Sequence, residues 1–154
     1  MKPAIPPART VAGNYPRQRR ISLKYADQDP SGGVNGIAIG RFFEEARFTV
    51  RSALDAPEAR DPDIRFVLAR VRIDILEPVW YPGTVDVCMG VAGVGRTSFS
   101  SAAALFQDGR LVAVSDSTVA VRDGRTGEGC VLSPEFHRAL IPMLVSAHEP
   151  SVAR

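Results

Sequence analysis

Residues 35–54 read NGIAIGRFFEEARFTVRSAL, and this stretch decides the architecture. Ile39, Phe42, Phe43, Ala46, Val50 and Ala53 recur at steps of three and four, so they fall on one stripe of an α-helix. Asn35 is of the type that caps a helix N-terminus, and Arg47 and Arg51 lie toward the end where cations are favoured. Twenty residues make a helix about 30 Å long, long for a small domain. Gly36 and Gly40 weaken its first turns, which predicts a close approach to the backbone there.

On either side of this helix the period changes to two. Before it, residues 19–25 alternate Ile21, Leu23 and Tyr25 with polar neighbours, and the turn-rich run Asp27-Gln28-Asp29-Pro30-Ser31-Gly32-Gly33 ends that strand. After it, residues 64–76, 84–94, 97–106 and 111–121 read as four more strands, with a hairpin turn at Asp108-Gly109. Short hairpin-like connections are expected between them. Ser133-Pro134-Glu135 opens a short last helix that Pro142 interrupts. The order predicts an α+β fold, one helix on an antiparallel sheet. A doubly wound parallel sheet is excluded, because no helices separate the last four strands.

The 154 residues are 45% hydrophobic and 23% charged, the composition of one globular domain. Six of the 19 basic residues and none of the 17 acidic ones fall in residues 1–24, so the remainder carries −4. The net charge of +2 argues for neither a nucleic-acid nor a membrane partner. Residues 1–16, basic and proline-rich, are expected to be a frayed arm, residues 17–141 the domain, and residues 142–154 a mobile tail. No apolar run is long enough to span a membrane, and no signal peptide is visible, so a cytoplasmic location is expected. Cys88 and Cys130 make no metal motif, and Cys88 lies in an apolar strand pattern. No metal or separate cofactor is expected.

Serine-hydrolase elbow, Walker, dinucleotide and H-E-x-x-H motifs are absent from the sequence, and His137 and His148 read as surface residues. One place combines chemical groups. Asp27 and Asp29 precede a Gly-Gly turn that feeds a helix N-terminus, where free N–H groups and the positive dipole end lie. Such a carboxylate is suited to act as nucleophile or base while the N–H groups hold an oxyanion. The same residues also suit a plain turn. Glu44 and Arg47, like Arg41 and Glu45, are spaced to pair along the helix.

The run from Tyr25 to Asn35, followed by Arg41-Phe42-Phe43-Glu44-Glu45-Ala46-Arg47, resembles the hotdog-fold acyl-CoA thioesterases of the 4-hydroxybenzoyl-CoA thioesterase type. That family shows D-x-D-x-x-G-x-V-N and then F-E-x-A-R. Leu76-Glu77-Pro78 with Gly83 to Val87, Gly95 to Ser98, and Arg122-Asp123 with Thr126-Gly127 continue the likeness in order, over residues 19–141. The resemblance implies a sheet wrapped around the long helix and a homodimer or homotetramer with its site at the subunit interface. It places Asp29 on the catalytic carboxylate, the Gly36 N–H on the thioester oxygen, and Glu44 on a glutamate that positions water or closes the dimer. By the same likeness Gly33, Val34 and Asn35, with Arg96, Thr97, Ser98 and Arg122, contact an acyl-CoA or acyl-carrier-protein substrate; coenzyme A is then part of that substrate. Arg125 joins Arg96 and Arg122 as a candidate phosphate ligand.

The pattern departs from the family at Gly33, where many relatives carry His, so a non-catalytic hotdog that binds acyl-CoA is the alternative. A second hotdog thioesterase type uses H-G-G with an acid seven residues on; here Ser31-Gly32-Gly33 is followed by Gly40. Hotdog dehydratases need a His in the site, and neither histidine is near the helix start. Phe48 shares the outward face with Glu44, which predicts that a partner covers that face, together with residues 55–63.

Overall fold

The structure is a computed structural model that describes residues 3–146. Five strands, β1 (Arg17–Ser22), β2 (Ile64–Ile75), β3 (Thr84–Val94), β4 (Ser98–Gln107) and β5 (Arg110–Asp123), form one antiparallel sheet in the order β1-β3-β4-β5-β2. Helix α1 (Gly36–Ser52) crosses the sheet, a single turn α2 (Pro57–Arg60) follows, and α3 (Pro134–Leu140) closes one end. A sheet curled around one long helix is the hotdog arrangement.

Helix α1 starts where its cap chemistry dictates. The Asn35 side chain accepts the Ala38 N–H at 2.8 Å, satisfying one orphan donor of the first turn. Its apolar stripe, Ala38, Ile39, Phe42, Phe43, Ala46 and Val50, is buried against the sheet. Each large member contributes about 1.5–3 kcal/mol by leaving water. The expected close approach at Gly36 and Gly40 is a loose one. Cβ atoms there would sit 4.0 Å from Ile75 Cδ1 and 3.8 Å from Ile73 Cδ1, ordinary contact distances. These contacts place the start of α1 over the end of β2.

The hairpin at Asp108-Gly109 forms as read, both residues taking positive φ (50° and 76°). Other readings need correction. The first strand is Arg17–Ser22 and not 19–25; Tyr25–Asp27 is a 3-10 turn, because the Asp27 carboxylate accepts the Lys24 N–H at 2.8 Å and bends the chain. Strands β2 and β3 are no hairpin: β2 pairs with β5, at the opposite edge from β1. Residues 3–16, expected as a frayed arm, lie on the outer face of the sheet. Tyr15 is buried with Cys88, Ala104, Phe106 and Val114, and Arg9 bonds Asp116 at 2.8 Å. Residues 142–146 pack there too, with Val145 N–H donating to Val91 O at 3.0 Å. Arm and tail meet at Gly90, where a Cβ would lie 2.8 Å from Pro16 and 2.7 Å from Val145, so only glycine fits. His137 is exposed as read, and His148 lies outside the described residues.

Candidate active site

The loop between β1 and α1 is held from three sides. Val34 N–H donates to Val79 O at 2.8 Å, Asn35 N–H to Asp27 O at 2.8 Å, and Gly33 bridges to Trp80. Asp27 is the structural carboxylate of this loop. It is buried and accepts from the Lys24 N–H and from Arg41 Nη2, each at 2.8 Å. That pair ties the loop to α1 across 14 residues, which helical spacing alone could not show. Arg41 stands 3.9 Å from Glu45, the partner expected for it, so its close contact is with Asp27.

Asp29 is the free carboxylate. Its Oδ1 accepts from the Ser31 N–H at 2.8 Å and from the Ser31 hydroxyl at 2.5 Å. Its Oδ2 lies beside Gly33, 3.8 Å from where a Cβ would sit, with Ser31 Oγ and Val79 O each 3.7 Å from the same point. The Ser31 hydroxyl first, then the Ser31 N–H and those of Gly33 and Gly32, hold its pKa below the ordinary aspartate value. Asp29 is therefore ionised at neutral pH and fixed in orientation. The next element is the N-terminus of α1, and the Gly36 and Ile37 N–H groups have no partner among the described residues. A charged oxygen and unpaired donors on a positive dipole end can serve a single carbonyl.

The remaining candidates lie away from this loop, along α1 or toward the far end of the sheet. Arg96 is exposed, and Thr97 and Ser98 are half-buried at the β3–β4 turn. Arg122 donates to Gly127 O at 3.1 Å at the exit of β5. Strand β4 runs about 30 Å from that turn to Gln107, which bonds Trp80 beside the Asp29 loop. Glu44 is eight residues along α1 from Gly36, about 12 Å, and accepts from Arg47 Nε at 2.9 Å. One chain thus brings Asp29, Gly33, Val34, Asn35 and Gly36 together and leaves Glu44, Arg96, Thr97, Ser98 and Arg122 apart.

Sequence reasoning missed a cavity beside this second group. It has about 100 Å³, lies between the last turns of α1 and the sheet, and is lined by Arg47, Phe66, Leu68, Met89, Phe99 and Ser101 among others. Its helical residues were legible only as an ion pair and a core stripe.

The fold and this loop define a hotdog protein with the groups for acyl transfer. The model of the thioesterase-like superfamily matches residues 23–140, and the chain belongs to that superfamily, whose chemistry is thioester hydrolysis. A solved protein of Pseudomonas aeruginosa is similar, with 23% identity, TM-score 0.75, and 88% of this chain and 96% of that one covered. A Thermus thermophilus thioesterase complexed with coenzyme A and zinc shares 24% identity at TM-score 0.72, over 82% and 92%. A DHNA-CoA thioesterase from Staphylococcus aureus shares 21% at 0.69, over 79% and 86%. At these identities the likeness is one of fold. No curated protein matches the sequence. No helix among the described residues is long and apolar enough to cross a membrane.

Proposed function

We propose that this chain hydrolyses acyl-CoA or acyl-carrier-protein thioesters, with Asp29 as nucleophile or general base. The observation that carries this reading is an ionised carboxylate, oriented by Ser31, one short loop before unpaired N–H groups of α1. The thioester oxygen accepts from the Gly36 N–H. Asp29 Oδ2 then adds to the carbonyl carbon and the thiolate leaves, giving a mixed anhydride that water opens; alternatively Oδ2 takes a proton from the attacking water. A thiolate leaves without much protonation, so the site works without histidine. The free thiols Cys88 and Cys130 suit a reducing, cytoplasmic setting.

The active unit is a dimer built on β2. This twelve-residue strand is a sheet edge, and Val67, Leu68, Val71 and Ile75 on it are exposed. Long apolar edges are normally covered. Antiparallel pairing of two β2 edges about their middles sets the start of one β2 against the end of the other. The partner's arginines and cavity then come beside Asp29 and Gly36, uniting what one chain keeps apart. The outward α1 residues Ile37 and Phe48, 89% and 65% exposed, would be covered as the two helices approach.

The test is release of free thiol from a panel of aromatic, short-chain and long-chain acyl-CoAs and an acyl-carrier protein, with sedimentation run alongside. Turnover of at least one ester by a dimer or tetramer is expected. Tight acyl-CoA binding with no turnover would replace this reading by the binding module, and a stable, active monomer would overturn the β2 pairing.

A further inference from the structure

The cavity at the end of α1 has an interior of mixed chemistry that packing does not require. Arg47 is only 11% exposed, and Glu44 engages its Nε and Nη2. Its Nη1 is buried with no partner among the described residues. The sheet beneath presents serines where apolar side chains would normally stand. Ser101 and Ser117 face each other across β4 and β5, both buried, with hydroxyls 2.6 Å apart. Ser115, two residues along on the same face and outside the cavity lining, is also buried with its hydroxyl unpaired among the described residues. The other walls, Phe66, Leu68, Met89 and Phe99, are apolar. Buried donors without partners are rare in a folded core and mark a place where water or a ligand supplies the missing acceptor.

We infer that this cavity receives the far end of the acyl group, and that Arg47 Nη1 with the Ser101 hydroxyl selects acyl chains carrying an oxygen there. The inference rests on the thioesterase reading and its β2 dimer, because within one chain Arg47 is eleven residues from Gly36, about 16 Å along α1. The apolar walls take the body of the acyl group. Its terminal oxygen, as a hydroxyl or a carboxylate, accepts the unused N–H of the guanidinium. Glu44 offsets much of the Arg47 charge, so a neutral oxygen suffices, while Arg51 on the rim leaves room for an anionic one. The space is below that of the cavities of about 150 Å³ that hold benzene, so the part of the acyl group that enters it is a short chain end rather than a whole ring.

The test uses non-hydrolysable thioethers, so that binding is read apart from turnover. Calorimetry on the full chain compares S-hexyl-CoA with S-(6-hydroxyhexyl)-CoA and S-(5-carboxypentyl)-CoA, whose flexible spacers let the oxygen find its depth. At least one oxygenated analogue should bind about tenfold tighter than the plain one, and which arm wins tells hydroxyl from carboxylate. Arg47→Met should bring that ratio to within about threefold of unity. Ser101→Ala, which alters no charge, should lower it severalfold, and it carries the test if Arg47→Met does not fold. Equal binding of all three by the parent, as a cavity filled only with water would give, overturns the inference. So does a preference that survives in both variants. Failure of the thioesterase reading would show separately, as absence of hydrolysis of the matching thioesters while the binding ratio stands.

Discussion

The two ends of α1 are built in opposite ways. At its N-terminus, Asp29, Gly33 and the unpaired N–H groups are carried by a short loop fixed to the sheet by backbone bonds. They are near one another in sequence and complete as a set. At its C-terminal end, Arg47 comes from the helix, Phe66 from β2 and Ser101 from β4, and they meet around a cavity. The first end has charge and donors but little apolar wall; the second has wall and no carboxylate free to attack. In the function proposed here each is half a site, and a two-fold axis at the β2 edge is the simplest operation that joins them.

The largest expected effect comes from breaking the first half. Asp29→Asn keeps the shape and removes the charge, so turnover should fall by at least about 10²-fold, read as thiol release, with the melting temperature unchanged. The pH profile sharpens the same point. The folded-state pKa of Asp29 is depressed, so its charge is present throughout the neutral range and is lost only as pH falls through that lowered value. Activity should therefore hold flat from neutrality down past pH 5, with its acid limb below the ordinary aspartate value of about 3.9. An acid limb near 6 would point to another group.

Nearly as large, and acting on both halves together, is Val71→Asp at the middle of the β2 edge. The chain should sediment as a monomer and lose about tenfold or more in kcat/KM, since neither half positions a substrate alone.

Asp27→Asn separates the neighbouring carboxylate from the chemistry. Its burial against Arg41 makes it a stability position. Because Arg41 is half-exposed, the loss should be about 1–3 kcal/mol, a drop of about 3–10 °C in Tm, with activity of the folded fraction largely kept. The smallest effect is expected at the second half's rim. Reversing Arg96, Arg122 or Arg125 should raise KM several-fold at one position at least, with kcat within about twofold. A change in kcat instead would move that arginine to the reacting end.

Much of the architecture was legible because its signals are local. The helix bounds followed from a 3.6-residue period and an Asn cap, and the strands from a period of two. The Asp29 loop was legible for the same reason: its parts lie within eight residues of Asp29. The Asp27–Arg41 pair was not, since Arg41 has an equally good local partner in Glu45, and only packing decides between them. Nor was the docking of residues 3–16, whose prolines and charges describe a mobile segment until a sheet face is there to receive Tyr15 and Arg9.

The sequence by itself determined which elements form, the cap and stripe of α1, and the carboxylate poised before it, because those depend on neighbours along the chain. Only the tertiary structure decided that β2 would form an edge, that the candidate residues would fall into two distant groups, and that Arg47 and Ser101 would meet around one cavity. Those outcomes depend on strand order and on side chains from separate elements arriving in the same place. No local periodicity encodes such contacts.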